Sequence, residues 1–126
     1  MKKYIIMLVV ALFTSCTINA QNAAVSVATK FCTAVYLNDM ETAKSYMTPE
    51  DARLTPDRMN FSEGEGRQYL QRLQNSNYKI IPNEYSSSIV TVRFYDPRYE
   101  YLSDEGRWFC CSVALVEVRE GVWKVT

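Results

Sequence analysis

A chain of 126 residues is the size of one domain, large enough to fold around a single core without metals or staples. Its 14 basic and 14 acidic residues make it formally neutral, with no basic stripe, so nucleic acid is a poor candidate partner. It has no histidine, which removes the commonest general acid/base, the Ser-His and Cys-His nucleophile pairs and the usual zinc and haem ligands.

The N-terminus reads as a targeting segment. Lys2 and Lys3 precede an apolar run from Tyr4 to Phe13, too short for the roughly 20 residues of a membrane-spanning helix. Two endings compete. Ile18-Asn19-Ala20 before Gln21 has the form of a signal-peptidase site, giving a signal peptide over 1–20 and a domain over 21–126. Phe13-Thr14-Ser15-Cys16 has the form of a bacterial lipobox, giving a segment over 1–15 with Cys16 lipidated, although Phe13 departs from the usual Leu. Either ending places the domain outside the cytoplasm, in the periplasm or on the outer membrane or cell surface. The membrane is then met only through a lipid anchor.

Helical spacing of Ala24, Val27, Ala28, Phe31, Ala34 and Val35, with Cys32 beside them, predicts a first helix over 23–37. Asn38 followed by Glu41 predicts a capping box for a second helix over 39–47. Thr48-Pro49-Glu50-Asp51 combines a capping Thr, a Pro in the first turn and acids near the helix N-terminus, predicting a short helix over 49–54. Residues 55–61 read as a connection. Ser62-Glu63-Gly64-Glu65 opens a helix over about 63–75 with Tyr69, Leu70 and Leu73 inward.

The rest is strand-like. Tyr78–Ile81 is a short strand, made an edge or a bulge by Pro82. Ser87–Tyr95 alternates cleanly, with Val90, Val92 and Phe94 on one face. Residues 96–106 form a polar connection. The last segment, 107–126, is a long hairpin about Glu120-Gly121, where Gly121 supplies a positive φ. A two-residue turn sets Val118 against Trp123 and Val116 against Val125. That register turns Trp108, Cys110, Ser112, Ala114, Val116 and Val118 toward the helices, and Phe109, Cys111, Val113 and Leu115 away from them. Helices first and strands after argue for an α+β domain, its N-terminal helices packed on a mostly antiparallel sheet of about four strands.

The order of elements carries a resemblance. Val27 to Asp39 has the form V-x-x-F-x-x-A-V-x-x-x-D, Ala43 to Glu50 the form A-K-x-Y-x-T-P-E, and Gly121 to Val125 the form G-x-W-K-V. The chain resembles the small exported bacterial domains of unknown function in the nuclear transport factor two-like superfamily, also called cystatin-like cones. The resemblance implies a curved, cone-like sheet with helices in its concave side, a pocket at the open end, and a sheet face that often makes dimers. Enzymes of that superfamily use pocket Asp, His or Tyr residues. No strand carboxylate here faces the expected core, so no catalytic residue is carried over.

Five candidate features remain. Export permits disulfides, and the expected register brings Cys110 rather than Cys111 to the first helix, making Cys32–Cys110 the candidate bridge; buried free thiols are the alternative. Tyr95, Arg98, Tyr99 and Tyr101 on the 96–106 side of the sheet form a candidate ligand loop. Phe109, Val113 and Leu115 form a candidate partner surface, for a second copy or another protein, or are covered by the 96–106 loop. Asp39 with Tyr36, Tyr46 and Tyr69 is the one candidate pocket for proton transfer. Cys16 is the candidate lipidation site. No metal site and no cofactor is expected. The leading reading is an exported envelope domain, leaning away from an enzyme, that binds a small ligand or a protein. The alternatives are a pocket enzyme of isomerase or dehydratase type, and an accessory subunit of a surface complex.

Overall fold

The computed structural model describes residues 22–99 and 109–126. Within them the fold is α+β. Helix α1 covers residues 22–36. It is followed by α2 (Met40–Ser45), α3 (Pro49–Leu54) and α4 (Glu63–Gln74). Then come β1 (Asn77–Pro82), β2 (Ile89–Tyr95), a single 3₁₀ turn (Pro97–Tyr99), β3 (Phe109–Arg119) and β4 (Val122–Val125). The strands form one antiparallel sheet in the order β1-β2-β3-β4.

Small side chains four residues apart decide how α1 meets this sheet. Ala24, Ala28 and Cys32 form one buried line along the helix. They pack with Val92 and Phe94 of β2, Val113 and Leu115 of β3, Trp123 and Val125 of β4, and Leu73 of α4. Ala34 instead joins Met40 and Ala43 in a second, smaller cluster that seats α2.

Asn38 ends α1 with φ of 57°. Asn tolerates this left-handed conformation better than most residues because its short amide bonds locally. The turn is closed by the Asp39 amide donating to Ala34 O at 2.9 Å. The Asn38 carboxamide oxygen accepts from the Met59 amide at 2.8 Å, pinning the 55–61 connection. The cap of α2 is therefore Asp39, not the expected Asn38: its carboxylate accepts from the Thr42 amide at 3.3 Å. Thr48 and Ser62 cap α3 and α4 as their spacing indicated.

Helix α4 meets the end of α1 through Gly66. A Cβ there would lie 2.2 Å from the Tyr36 carbonyl oxygen, so only glycine permits the approach. The approach places the Tyr36 and Tyr69 rings 5.6 Å apart, with Phe61 edge-on to Tyr69 at 5.9 Å.

The hairpin departs from its expected register. Arg119 pairs with Val122 across the Glu120-Gly121 turn, and Gly121 has φ of 75°. A bulge then shifts the ladder between Glu117 and Arg119, so Trp123 faces Glu117, and Leu115, not Val116, faces Val125. One extra residue reverses which face every later side chain occupies. Trp123 and Val125 remain in the core as expected, but the β3 residues that join them are Val113 and Leu115. Val118 is left exposed. The second edge of the sheet is partly covered: β4 bridges Met47, with Val125 N donating to Tyr46 O at 2.8 Å and Thr48 N to Val125 O at 2.9 Å.

Candidate functional site

The reversed face relocates two of the sequence-derived sites. Val113 and Leu115, expected on a partner surface, are core residues at 4% and 0% exposure. The backbone of Phe109 pairs with Tyr95. The cysteine facing α1 is Cys111, not Cys110. A second bulge, between Phe94 and Tyr95, lets the ladder step from Phe94–Cys111 to Tyr95–Phe109, skipping Cys110. Cys16 and Tyr101 lie outside the described residues.

Cys32 and Cys111 bring their sulfurs to 2.9 Å, between the middle of α1 and the start of β3. Cys32 is buried and Cys111 half-buried, and both are thiols. The Cys32 thiol hydrogen-bonds the Cys111 sulfur and the Tyr36 hydroxyl adds a second bond. Against the opposing effect of burial, these draw the Cys111 thiol down to about 7. Cys32 is pushed up, by its bond to Cys111 first and by burial next. The pair thus divides into a half-buried cysteine whose thiol is drawn down and a buried one whose thiol is pushed up.

A concavity lies elsewhere. A half-open groove of about 680 Å³ runs between α4 and the 3₁₀ turn after β2. One wall is the polar face of α4: Gln68, Gln71, Arg72 and Asn75. Their spacing of three or four residues stacks them on one side of the helix. The other wall is Asp96, Pro97 and Arg98. Arg72 lies over the Tyr69 ring at 6.0 Å. Arg98 grips Asp96 in a fork, Nη2 to Oδ2 at 2.7 Å and Nε to Oδ1 at 3.1 Å. Its backbone amide donates to Asp96 Oδ1 at 3.0 Å. The side-chain and backbone hydrogen bonds from Arg98 hold the Asp96 carboxyl below the usual carboxylate range.

Of the expected ligand loop, the structure brings Arg98 to the groove. Tyr95 is buried, with the Lys79 ammonium 5.3 Å from its ring centre, and Tyr99 lies in the 3₁₀ turn. The α4 residues were missed, although Gln68, Gln71, Arg72 and Asn75 at helical spacing were a visible signal of a shared polar face.

The candidate proton-transfer group does not assemble as a buried site. Asp39 is exposed and its carboxylate is engaged in capping, accepting from the Thr42 hydroxyl at 2.7 Å. It shares a shallow groove of about 240 Å³ with Tyr46, while Tyr36 and Tyr69 pack on each other. Among the described residues every carboxylate is exposed or half-buried, and no cluster of side chains could hold a metal ion. Also among them, no helix is long and apolar enough to cross a membrane. Comparison with protein-family models, curated proteins and solved structures finds no match.

Proposed function

We propose that this chain is an exported envelope domain of the nuclear transport factor two-like cone class that binds, rather than transforms, a small polar ligand carrying a carboxylate. The observation that carries this reading is the groove where Arg72 of α4 and Arg98 of the 3₁₀ turn line facing walls with the side-chain amides of Gln68, Gln71 and Asn75. Among the described residues that line the groove, two guanidinium groups beside one carboxylate leave one positive charge in excess, and guanidinium is the side chain best suited to a planar carboxylate. The amides supply donors and acceptors for hydroxyls or peptide groups. The volume lies within the range of small-molecule sites. Asp96 serves here as the group that orients Arg98, not as a base, because its hydrogen bonds favour the ionised form. Export rests on the Lys2-Lys3 start and the apolar run that follows.

Two probes separate the sources of such a carboxylate: a glucuronate-terminated disaccharide and a free-acid tripeptide. Calorimetric titration is expected to show saturable binding of one of them, weakened at least about tenfold by Arg72→Ala and by Arg98→Ala. Binding by neither probe, or binding indifferent to both substitutions, contradicts the proposal. Intact mass of the processed protein tests export: a start at Gln21 or at a lipidated Cys16 supports it, and an uncleaved chain contradicts it.

A further inference from the structure

We propose that Cys32 and Cys111 form a redox pair that closes a disulfide tying α1 to β3, with Cys111 as the attacking thiolate and Cys32 as the resolving thiol. The assignment does not depend on the ligand groove. It rests first on position. The two residues are 79 apart in the chain, yet their sulfurs meet at 2.9 Å. Bonding needs them about 1 Å closer, a side-chain adjustment rather than a rearrangement of helix and sheet. It rests second on an asymmetry of access. Cys32 is 2% exposed, whereas Cys111 is half-buried. An incoming disulfide therefore meets Cys111 first. It rests third on neighbours: the two sulfurs share a hydrogen bond that either can donate, and the Tyr36 hydroxyl adds a bond to Cys111 alone, which favours the Cys111 anion. A core packed only for volume requires neither bond.

The chemistry is a two-step exchange. The Cys111 thiolate attacks one sulfur of an oxidant R–S–S–R′, such as oxidised glutathione or the active-site disulfide of a thiol oxidoreductase. The S–S bond of the oxidant breaks, R′–S⁻ leaves, and a Cys111–S–S–R mixed disulfide forms. Cys32 gives its proton to the departing thiolate and attacks the Cys111 sulfur. The intramolecular bond forms and R–S⁻ is expelled. The two cysteines are oxidised by two electrons, and the oxidant becomes two thiols once R–S⁻ takes from solvent the proton that Cys111 released on ionising.

The test is non-reducing peptide mapping of the purified protein after exposure to oxidised glutathione at neutral pH. A Cys32–Cys111 linked peptide is expected, with Cys110 still open to alkylation. In Cys32→Ser, glutathione should remain on Cys111 as a stable mixed disulfide. In Cys111→Ser, Cys32 should take up glutathione at least about tenfold more slowly than Cys111 does in Cys32→Ser, because it is buried and protonated. Wild-type mapping does not depend on whether either variant folds. A Cys32–Cys110 link, only intermolecular links, or two persistently free thiols would overturn the pairing. Equal trapping of glutathione at both positions in the two variants would overturn the division of roles.

Discussion

Cys111 shows how much one residue's surroundings decide. Its sulfur shares a hydrogen bond with Cys32 and another with Tyr36, and against the effect of burial these draw its thiol down to about 7. Iodoacetamide trapping resolved by peptide should therefore rise through a midpoint near pH 7 at this position, and Tyr36→Phe should move that midpoint upward. The same shift bears on stability. A thiol whose folded pKa is depressed contributes stability above its unfolded value and loses it as pH falls through the folded one. Cys32, shifted the other way, contributes below its unfolded value and loses it as pH rises. The reduced protein should thus grow more stable from about pH 7 up to the ordinary thiol range and less stable beyond it, a rise and fall that urea melts of the oxidised protein should lack. Gly66 leaves no room for a Cβ. Adding a methyl group sets it against the Tyr36 carbonyl, backbone against helix, with no flexible side chain to yield. Gly66→Ala is expected to cost about 1–3 kcal/mol in denaturant melts, whereas Gly64→Ala, which meets only the Ser62 hydroxyl at 3.9 Å, should not destabilise.

At the scale of elements, the sharpest consequence is the direction of β3. Leu115 is fully buried and Val116, next to it, is half-buried on the opposite face. Leu115→Ala should cost about 2–5 kcal/mol, while Val118→Thr at an exposed position should change stability by less than about 1 kcal/mol. Equal costs would mean that the bulge is misplaced. The helices were legible because their signals are local: alanines at helical spacing, Thr48 before Pro49, Ser62 before Glu65. The four strands were legible from alternation and their antiparallel character from helices preceding strands, but which strand neighbours which was not. The face of β3 was not, since strand alternation is a parity argument and the bulge between Glu117 and Arg119 reverses it. Nothing in Val116-Glu117-Val118-Arg119 marks that step. The error carried over to the cysteines, because Cys110 and Cys111 differ only in which face they occupy. Cys32 was singled out for a helix-to-sheet pairing, and Arg98 for a ligand loop that the fold sets beside α4. The opposite wall went unread because Gln68, Gln71, Arg72 and Asn75 look like an ordinary solvated helix face until the 3₁₀ turn is set against them.

Over the whole molecule, the thiol pair joins the helical layer to the sheet, while the groove lies between α4 and the 3₁₀ turn. A bond across the 79 residues from Cys32 to Cys111 restricts most of the unfolded chain. Closing it should stabilise the fold by about 2–4 kcal/mol, lowering the melting temperature on reduction by on the order of 10 °C. The same domain with serine at both positions should melt like the reduced form under either condition. Ligand binding in the groove is read most directly by NMR. Amide chemical shifts of the protein are mapped during titration with the glucuronate-terminated disaccharide and with the free-acid tripeptide. The binding reading requires that one of them shifts Gln71, Arg72, Asn75 and Arg98 together, saturably, and that the shifts vanish in Arg72→Ala. Shifts confined to the outer sheet residues around Ala114 and Val116, or none with either probe, would contradict it.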